Sequence, residues 1–213
     1  MYTVKELFYS LQGEGAHAGR AAVFCRFTGC NLWSGREQDR ADAICNFCDT
    51  DFIGTSGDLG GKYTQTQLAE AILGLWNSRC SDSSGAKPYV ICTGGEPLLQ
   101  LDDVLISAFK DRGFEVAVET NGTLAAPTGV DWICVSPKNN STLRLTQGNE
   151  LKLVHPQPGV DPAQFSGLEF DYFYLQPLDG PDAAQSLTAC LDYCHRHPRW
   201  RLSLQTHKLV NIP

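Results

Sequence analysis

Four things are missing from this sequence, and each absence narrows what the protein can be. It has no surplus of positive charge. Lysine and arginine total 17 against 24 aspartates and glutamates, a formal net charge of −7, which argues against broad electrostatic binding of nucleic acid. No apolar run reaches membrane-spanning length, and the opening MYTVKELFYSLQGEG lacks the continuous apolar centre of an export signal. Nor is there a linker, an internal repeat or a low-complexity tract, so the 213 residues read as one domain, 1–213, long enough for a substantial core. Last, the nine cysteines do not make an even secreted framework. Without an export signal they read as reduced thiols of a cytoplasmic protein.

What is present centres on CNLWSGREQDRADAICNFCDTD. It holds Cys30, Cys45 and Cys48, with fourteen residues (31–44) between the first two and two between the last two. A Cys-x-x-Cys pair turns two sulfurs to one side, and the third arrives across a charged loop. Three thiolates with no fourth nearby suit a [4Fe–4S] cluster with one iron left open. A structural zinc site, which wants four closed ligands, and a redox dithiol are the other readings of this stretch. Cys25, Cys92 and Cys134 lie in apolar runs and read as small core residues. Cys190 and Cys194, one turn apart on a helical pattern, read the same way.

The pattern along the chain alternates. Strands are expected at the N-terminus and over 21–27, 89–92, 114–119, 132–135, 151–154, 172–175 and 201–205. Thr64 and Gln67 form a capping box ahead of a helix with Leu68, Ala71, Ile72, Leu75 and Trp76 on one face. Further helices are expected over 102–112 and 181–197, a mobile surface loop over 54–61, and a polar loop over 81–87. Strands separated by helices or crossover-length connections predict a parallel sheet. Polar groups recur just after the strand ends: TGGEP (93–97), ETNG (119–122), SPK (136–138) and QPLD (176–179). In a barrel or partial barrel that edge builds the site. Arg26, a lone charge in the strand AAVFCRF, requires a carboxylate partner, from the protein or from a ligand. LQGEG (11–15) lets backbone approach a ligand closely and carries Gln12 and Glu14.

The cysteine triad followed by a strand-borne TGGEP resembles the radical S-adenosylmethionine superfamily, although most members have three residues, not fourteen, between the first two cysteines. LQGEG, CRFTGCNLWSG, CNFCDTDF, CTGGEP, ETNGT, CVSPK, NELK, YLQPLDG, QTHK and NIP together resemble one longer-loop family, 7-carboxy-7-deazaguanine synthase, from end to end. The resemblance implies an α/β fold, a partial TIM-like barrel of about six parallel strands with helices outside, and a homodimer. It implies ring contraction of 6-carboxy-5,6,7,8-tetrahydropterin to 7-carboxy-7-deazaguanine with loss of ammonia, in queuosine and 7-deazapurine biosynthesis. The reaction would start when a 5′-deoxyadenosyl radical takes hydrogen from C6. A pterin substrate and an electron donor such as a flavodoxin are the implied partners.

The family pattern assigns Cys30, Cys45 and Cys48 to the cluster and Thr50 to Mg²⁺. For S-adenosylmethionine it points to Phe47, Cys48, Asp49, Gly95, Ser136, Pro137, Lys138, Gln176, Pro177, Leu178 and Asp179. For substrate it points to Leu11, Gln12, Gly13, Arg26, Thr93 and Pro213, with Glu14 and His207 as second contacts. No side chain is expected to act as a nucleophile, because the cofactor carries the chemistry. Two competing readings, a glycyl-radical activase and a non-catalytic iron–sulfur sensor, share the triad but leave LQGEG and NIP, or GGEP and SPK, without a role.

Overall fold

A computed structural model of the chain describes residues 1–81 and 85–213. The middle of the expected 81–87 loop lies outside the described residues. Among the described residues nine strands form one sheet: β1 (Tyr2–Leu11), β2 (Ala21–Phe27), β3 (Gly61–Tyr63), β4 (Tyr89–Gly94), β5 (Glu115–Thr120), β6 (Trp132–Val135), β7 (Gln147–His155), β8 (Glu169–Pro177) and β9 (Trp200–Leu202). Their order is β3-β1-β2-β4-β5-β6-β7-β8-β9. From β2 to β9 every neighbouring pair is parallel, while β1 runs antiparallel to both β2 and β3. The sheet is an open partial barrel, as expected, but it has seven parallel strands and an antiparallel flap in place of about six.

Three longer helices cover the sheet: α1 (Gln65–Arg79), α2 (Asp103–Lys110) and α3 (Ala183–Arg196). The capping box at Thr64 is formed, with Gln67 N–H donating to the threonine hydroxyl. Asp102 caps α2 by accepting from Leu105 N–H. One apolar core lies between α1, α2 and strands β1, β2, β4 and β5, and a second between α3 and strands β6 to β8. Of the cysteines read as core, Cys25, Cys92 and Cys190 lie in these two clusters and Cys194 packs half-buried against the second, whereas Cys134 is buried outside both and donates to Glu150.

Helices do not follow every strand. The β5–β6 and β6–β7 connections contain none, and Leu143 and Leu145, half-buried, pack against the second core in place of a helix. The segment expected as a mobile loop over 54–61 is tied to β1. Gly57 N–H donates to Lys5 O, Leu7 N–H donates to Asp58 O, and Gly61 opens β3.

Alternation along the strands sorts two faces. Cys25, Cys92 and Val118 fall in register toward the core, whereas Arg26 and Thr93, paired across β2 and β4, turn to the other side with Glu119, Lys152 and Gln176. That concave face opens at the carboxyl ends of the parallel strands.

Candidate active site

Two adjoining lobes make one cleft there, with volumes of about 200 and 360 Å³. The first is lined by the three cysteines and by the ends of β4, β5, β6 and β8. The second is lined by β1, β2 and the C-terminal segment. Glu14, Asp49, Thr50, Thr93, Glu119 and Gln205 belong to both and form the wall between them.

The first lobe starts from two glycines. A Cβ on Gly95 would stand 2.0 Å from Gly29 O, and Gly94 has φ +129°. Only glycine allows the end of β4 to dock on the exit of β2, and that docking sets Cys30 beside the β4 turn. Cys45 and Cys48 face the same lobe. The two thiols interact with each other, which lowers Cys48 and raises Cys45; burial raises Cys30. Three thiols on one wall, with no fourth cysteine among the lining residues, are a donor set that fits a cluster open on one iron. Among the described residues no three His, Cys, Asp or Glu side chains stand close enough to grip a single metal ion.

Glu96, from the same TGGEP turn, does not reach the cleft. It is 0 % exposed, and its carboxylate accepts from Leu98 N–H, Asn121 N–H and the Thr120 hydroxyl at 2.8–3.0 Å. It therefore pins the end of β5 to the end of β4, and burial raises its pKa.

Beneath the shared wall lies a charged network. Lys152, with its side chain 5 % exposed, donates to Glu14 at 2.7 Å and Glu119 at 2.8 Å. Gln176 and Gln205 also donate to Glu14 Oε1, and Gln12 donates to Glu119. Burial raises the Glu14 carboxyl, but Lys152 and Gln205 outweigh it and hold the group down at about 2. Burial acts against the Lys152 ammonium as well, yet Cys134 and the carboxylates of Glu119, Glu14 and Glu150 keep it charged.

The second lobe is closed by the last residues of the chain. A short helix, α4 (Thr206–Val210), anchors by donating from Thr206 N–H to Gly13 O. A Cβ on Gly13 would stand 2.1 Å from His207 Nδ1, so glycine is needed for this approach. Lys208 spans the rim to Asp49 at 2.8 Å and Asp179 at 2.6 Å, and Ser10 donates to Pro213 O at 2.7 Å. Phe8 and Phe24 stack at 4.9 Å on the same wall as Arg26, whose Nε donates to Glu6 at 2.7 Å.

No protein-family profile matches the chain. It is 61% identical over 212 residues to the 7-carboxy-7-deazaguanine synthase of Bradyrhizobium diazoefficiens, with 99% of each chain covered. The protein of the same name from Caulobacter vibrioides is 58% identical, covering 100% of this chain and 99% of its own. The chain belongs to the 7-carboxy-7-deazaguanine synthase family. The crystal structure of QueE from Escherichia coli matches it with a TM-score of 0.67 at 27% identity, covering 95% of this chain and 93% of that one. Membership in the synthase family replaces the activase and sensor readings.

The residues that the synthase resemblance pointed to gather in the cleft almost without exception. Phe47, Cys48, Asp49, Gly95, Ser136, Lys138, Gln176, Pro177, Leu178 and Asp179 line the cysteine lobe. Pro137 does not; its carbonyl accepts from Gln157. Leu11, Gln12, Gly13, Arg26, Thr93 and Pro213 line the second lobe with Glu14 and His207, and Thr50 sits between the two. Arg26 finds its carboxylate within the protein, on Glu6. Sequence reasoning missed Glu119 and Lys152. Part of the signal was available: ETNG was placed at the site edge, but neither charge stands alone in its strand, since β5 also carries Glu115 and β7 also carries Glu150.

Proposed function

We propose that this protein is a 7-carboxy-7-deazaguanine synthase working by radical S-adenosylmethionine chemistry. It would contract the ring of 6-carboxy-5,6,7,8-tetrahydropterin with release of ammonia. The observation that carries the reading is the two-lobed cleft, which sets the cysteine lobe against a second lobe across one thin wall. Cys30, Cys45 and Cys48 would hold a [4Fe–4S] cluster. Gly95, Ser136, Lys138 and Gln176 would hold S-adenosylmethionine beside it. When bound, these groups supply hydrogen-atom abstraction from C6 of the substrate.

The chain's own part is to bind, orient and exclude water. Arg26 offers its guanidinium to the substrate carboxylate, and Thr50 supplies one oxygen to a Mg²⁺ that takes its remaining ligands from substrate and water. Glu14 and Glu119, both paired with Lys152, accept from the N–H groups of the pterin, and the Phe8–Phe24 pair gives its ring an apolar wall. The α4 segment with His207 and Pro213 covers the lobe. A homodimer and an electron donor such as a flavodoxin belong to the same reading.

The test is an anaerobic turnover of reconstituted, reduced protein with S-adenosylmethionine, Mg²⁺ and 6-carboxytetrahydropterin, read by mass spectrometry. The expected product is 7-carboxy-7-deazaguanine, absent in Cys48→Ala. Formation of 5′-deoxyadenosine without the deazapurine would overturn the substrate. Absence of both despite a bound cluster would overturn the enzyme reading.

A further inference from the structure

The fourteen residues between Cys30 and Cys45 have no assigned role, and their geometry converges on one side chain. Nη1 of Arg40 donates to two backbone carbonyls of the Cys-x-x-Cys turn, Asn46 O and Cys48 O, each at 3.0 Å. Its Nε is held by both oxygens of Glu37 at 2.8 Å. Its guanidinium lies 4.2 Å from the centre of the Trp33 ring. Trp33 is itself fixed, buried against Phe52 at 5.6 Å and donating from Nε1 to Arg36 O. The loop thus delivers one cation, held on three sides, to the back of the turn whose front carries the two sulfurs. Cys45 N–H, donating to Leu32 O at 3.4 Å, ties the turn to the same loop.

We infer that Arg40 is a positioning residue for the cluster: it holds the 45–48 turn in ligating shape before any cluster is present and lends fixed positive charge to the bound one. This rests on the cluster assignment made above. The physical basis is twofold. The last carbonyls of a tight turn otherwise face water and leave the turn free to splay, whereas two charge-assisted bonds from Nη1 of a guanidinium whose Nε is held by Glu37 lock it. A cation behind a cluster favours its more negative, reduced state by simple Coulomb attraction. Lysine cannot substitute, since one ammonium cannot stack on Trp33, meet Glu37 and bridge both carbonyls together.

The test compares wild type with Arg40→Gln, Arg40→Lys and Arg36→Gln. Arg36 is a suitable control: it is an exposed cation of the same loop whose side chain makes no hydrogen bond or ion pair among the described residues. In apo protein, hydrogen exchange of the amides over 45–49 is expected to speed up several-fold in both Arg40 variants and not in Arg36→Gln. After reconstitution both Arg40 variants are expected to lose iron to a chelator several-fold faster. In Arg40→Gln, which removes the cation, the midpoint potential is also expected to be more negative. Exchange and iron loss equal to wild type, or the same changes in Arg36→Gln, would overturn the inference. An unmoved potential in an Arg40→Gln protein that keeps its cluster would overturn its electrostatic half. Should Arg40→Gln fail to fold by circular dichroism, Glu37→Gln, which frees Nε while keeping the cation, takes its place with the same exchange readout. A wild type that takes up no cluster would sink the site assignment instead, while the exchange data would still decide the brace.

Discussion

At the scale of single residues, the most consequential side chain is one that sequence reasoning passed over. Lys152 separates Glu14 from Glu119 in a place water barely reaches. Removing one member of a buried ionic set leaves the others uncompensated, so Lys152→Met is expected to cost about 3–5 kcal/mol in urea unfolding. Activity should fall with it, since both carboxylates line the cleft. Glu14 sets a pH dependence whose sign is fixed by its low pKa. Its folded value of about 2 lies below the ordinary 4.5, so its contribution is complete above about 4.5 and drains away as pH falls toward about 2. Over that window the stability of wild type should fall more steeply with acidification than that of Glu14→Gln, by up to one proton's worth of slope, measured by urea unfolding at stepped pH. Glu96 teaches a different lesson. It stands in a motif that reads as ligand-binding, yet its carboxylate is spent on the protein's own amides, because a carboxyl on a turn between two parallel strands is best placed to hold those strands together.

At the scale of elements, much was legible. Each parallel strand could be read from its short apolar run, and each strand end from the polar or glycine-containing residues after it. Gly94 and Gly95 mark that boundary for a steric reason. Gly95→Ala would set a methyl against backbone at Gly29, which cannot turn aside as a side chain would. The exits of β2 and β4 must separate, and the expected outcome is a folded protein that binds markedly less iron after reconstitution, measured by iron content per chain. The N-terminal strand of the flap was read, but its antiparallel pairing and β3 were not, because β1 and β3 pair across more than about 50 residues and a three-residue edge strand leaves no period to detect. Nor was α4, whose five residues bury nothing and so carry no amphipathic stripe. The crossovers without helices escaped for the same reason. Leu143 and Leu145 serve as cover there without any helical spacing.

At the scale of the whole molecule, the open barrel divides the work between its two halves. The β4–β8 half supplies most of the cysteine lobe, while the flap and the C-terminal segment supply the second. Because α4 contributes no buried residue, deleting 206–213 should leave the urea midpoint close to that of wild type. Substrate affinity should fall at least tenfold, read as a raised KM or as lost binding in calorimetry. The cysteine triad and the residues around it could be found from sequence because they lie within one short stretch. The shared wall was legible only in part: Glu14, Asp49, Thr50 and Thr93 were named, but Glu14 and Glu119 meet on Lys152 only once the sheet has curled.

The hydrogen bond from Ser10 to Pro213 joins positions 203 residues apart, and the tie from Thr206 to Gly13 is nearly as long-range. Closing loops of that length costs chain entropy that must be met before the contact returns anything, and late, non-local contacts form slowly. The sheet and its cysteine lobe can therefore be complete while the second lobe is still open. A chain refolding from denaturant would then be able to accept a cluster before it can retain a substrate.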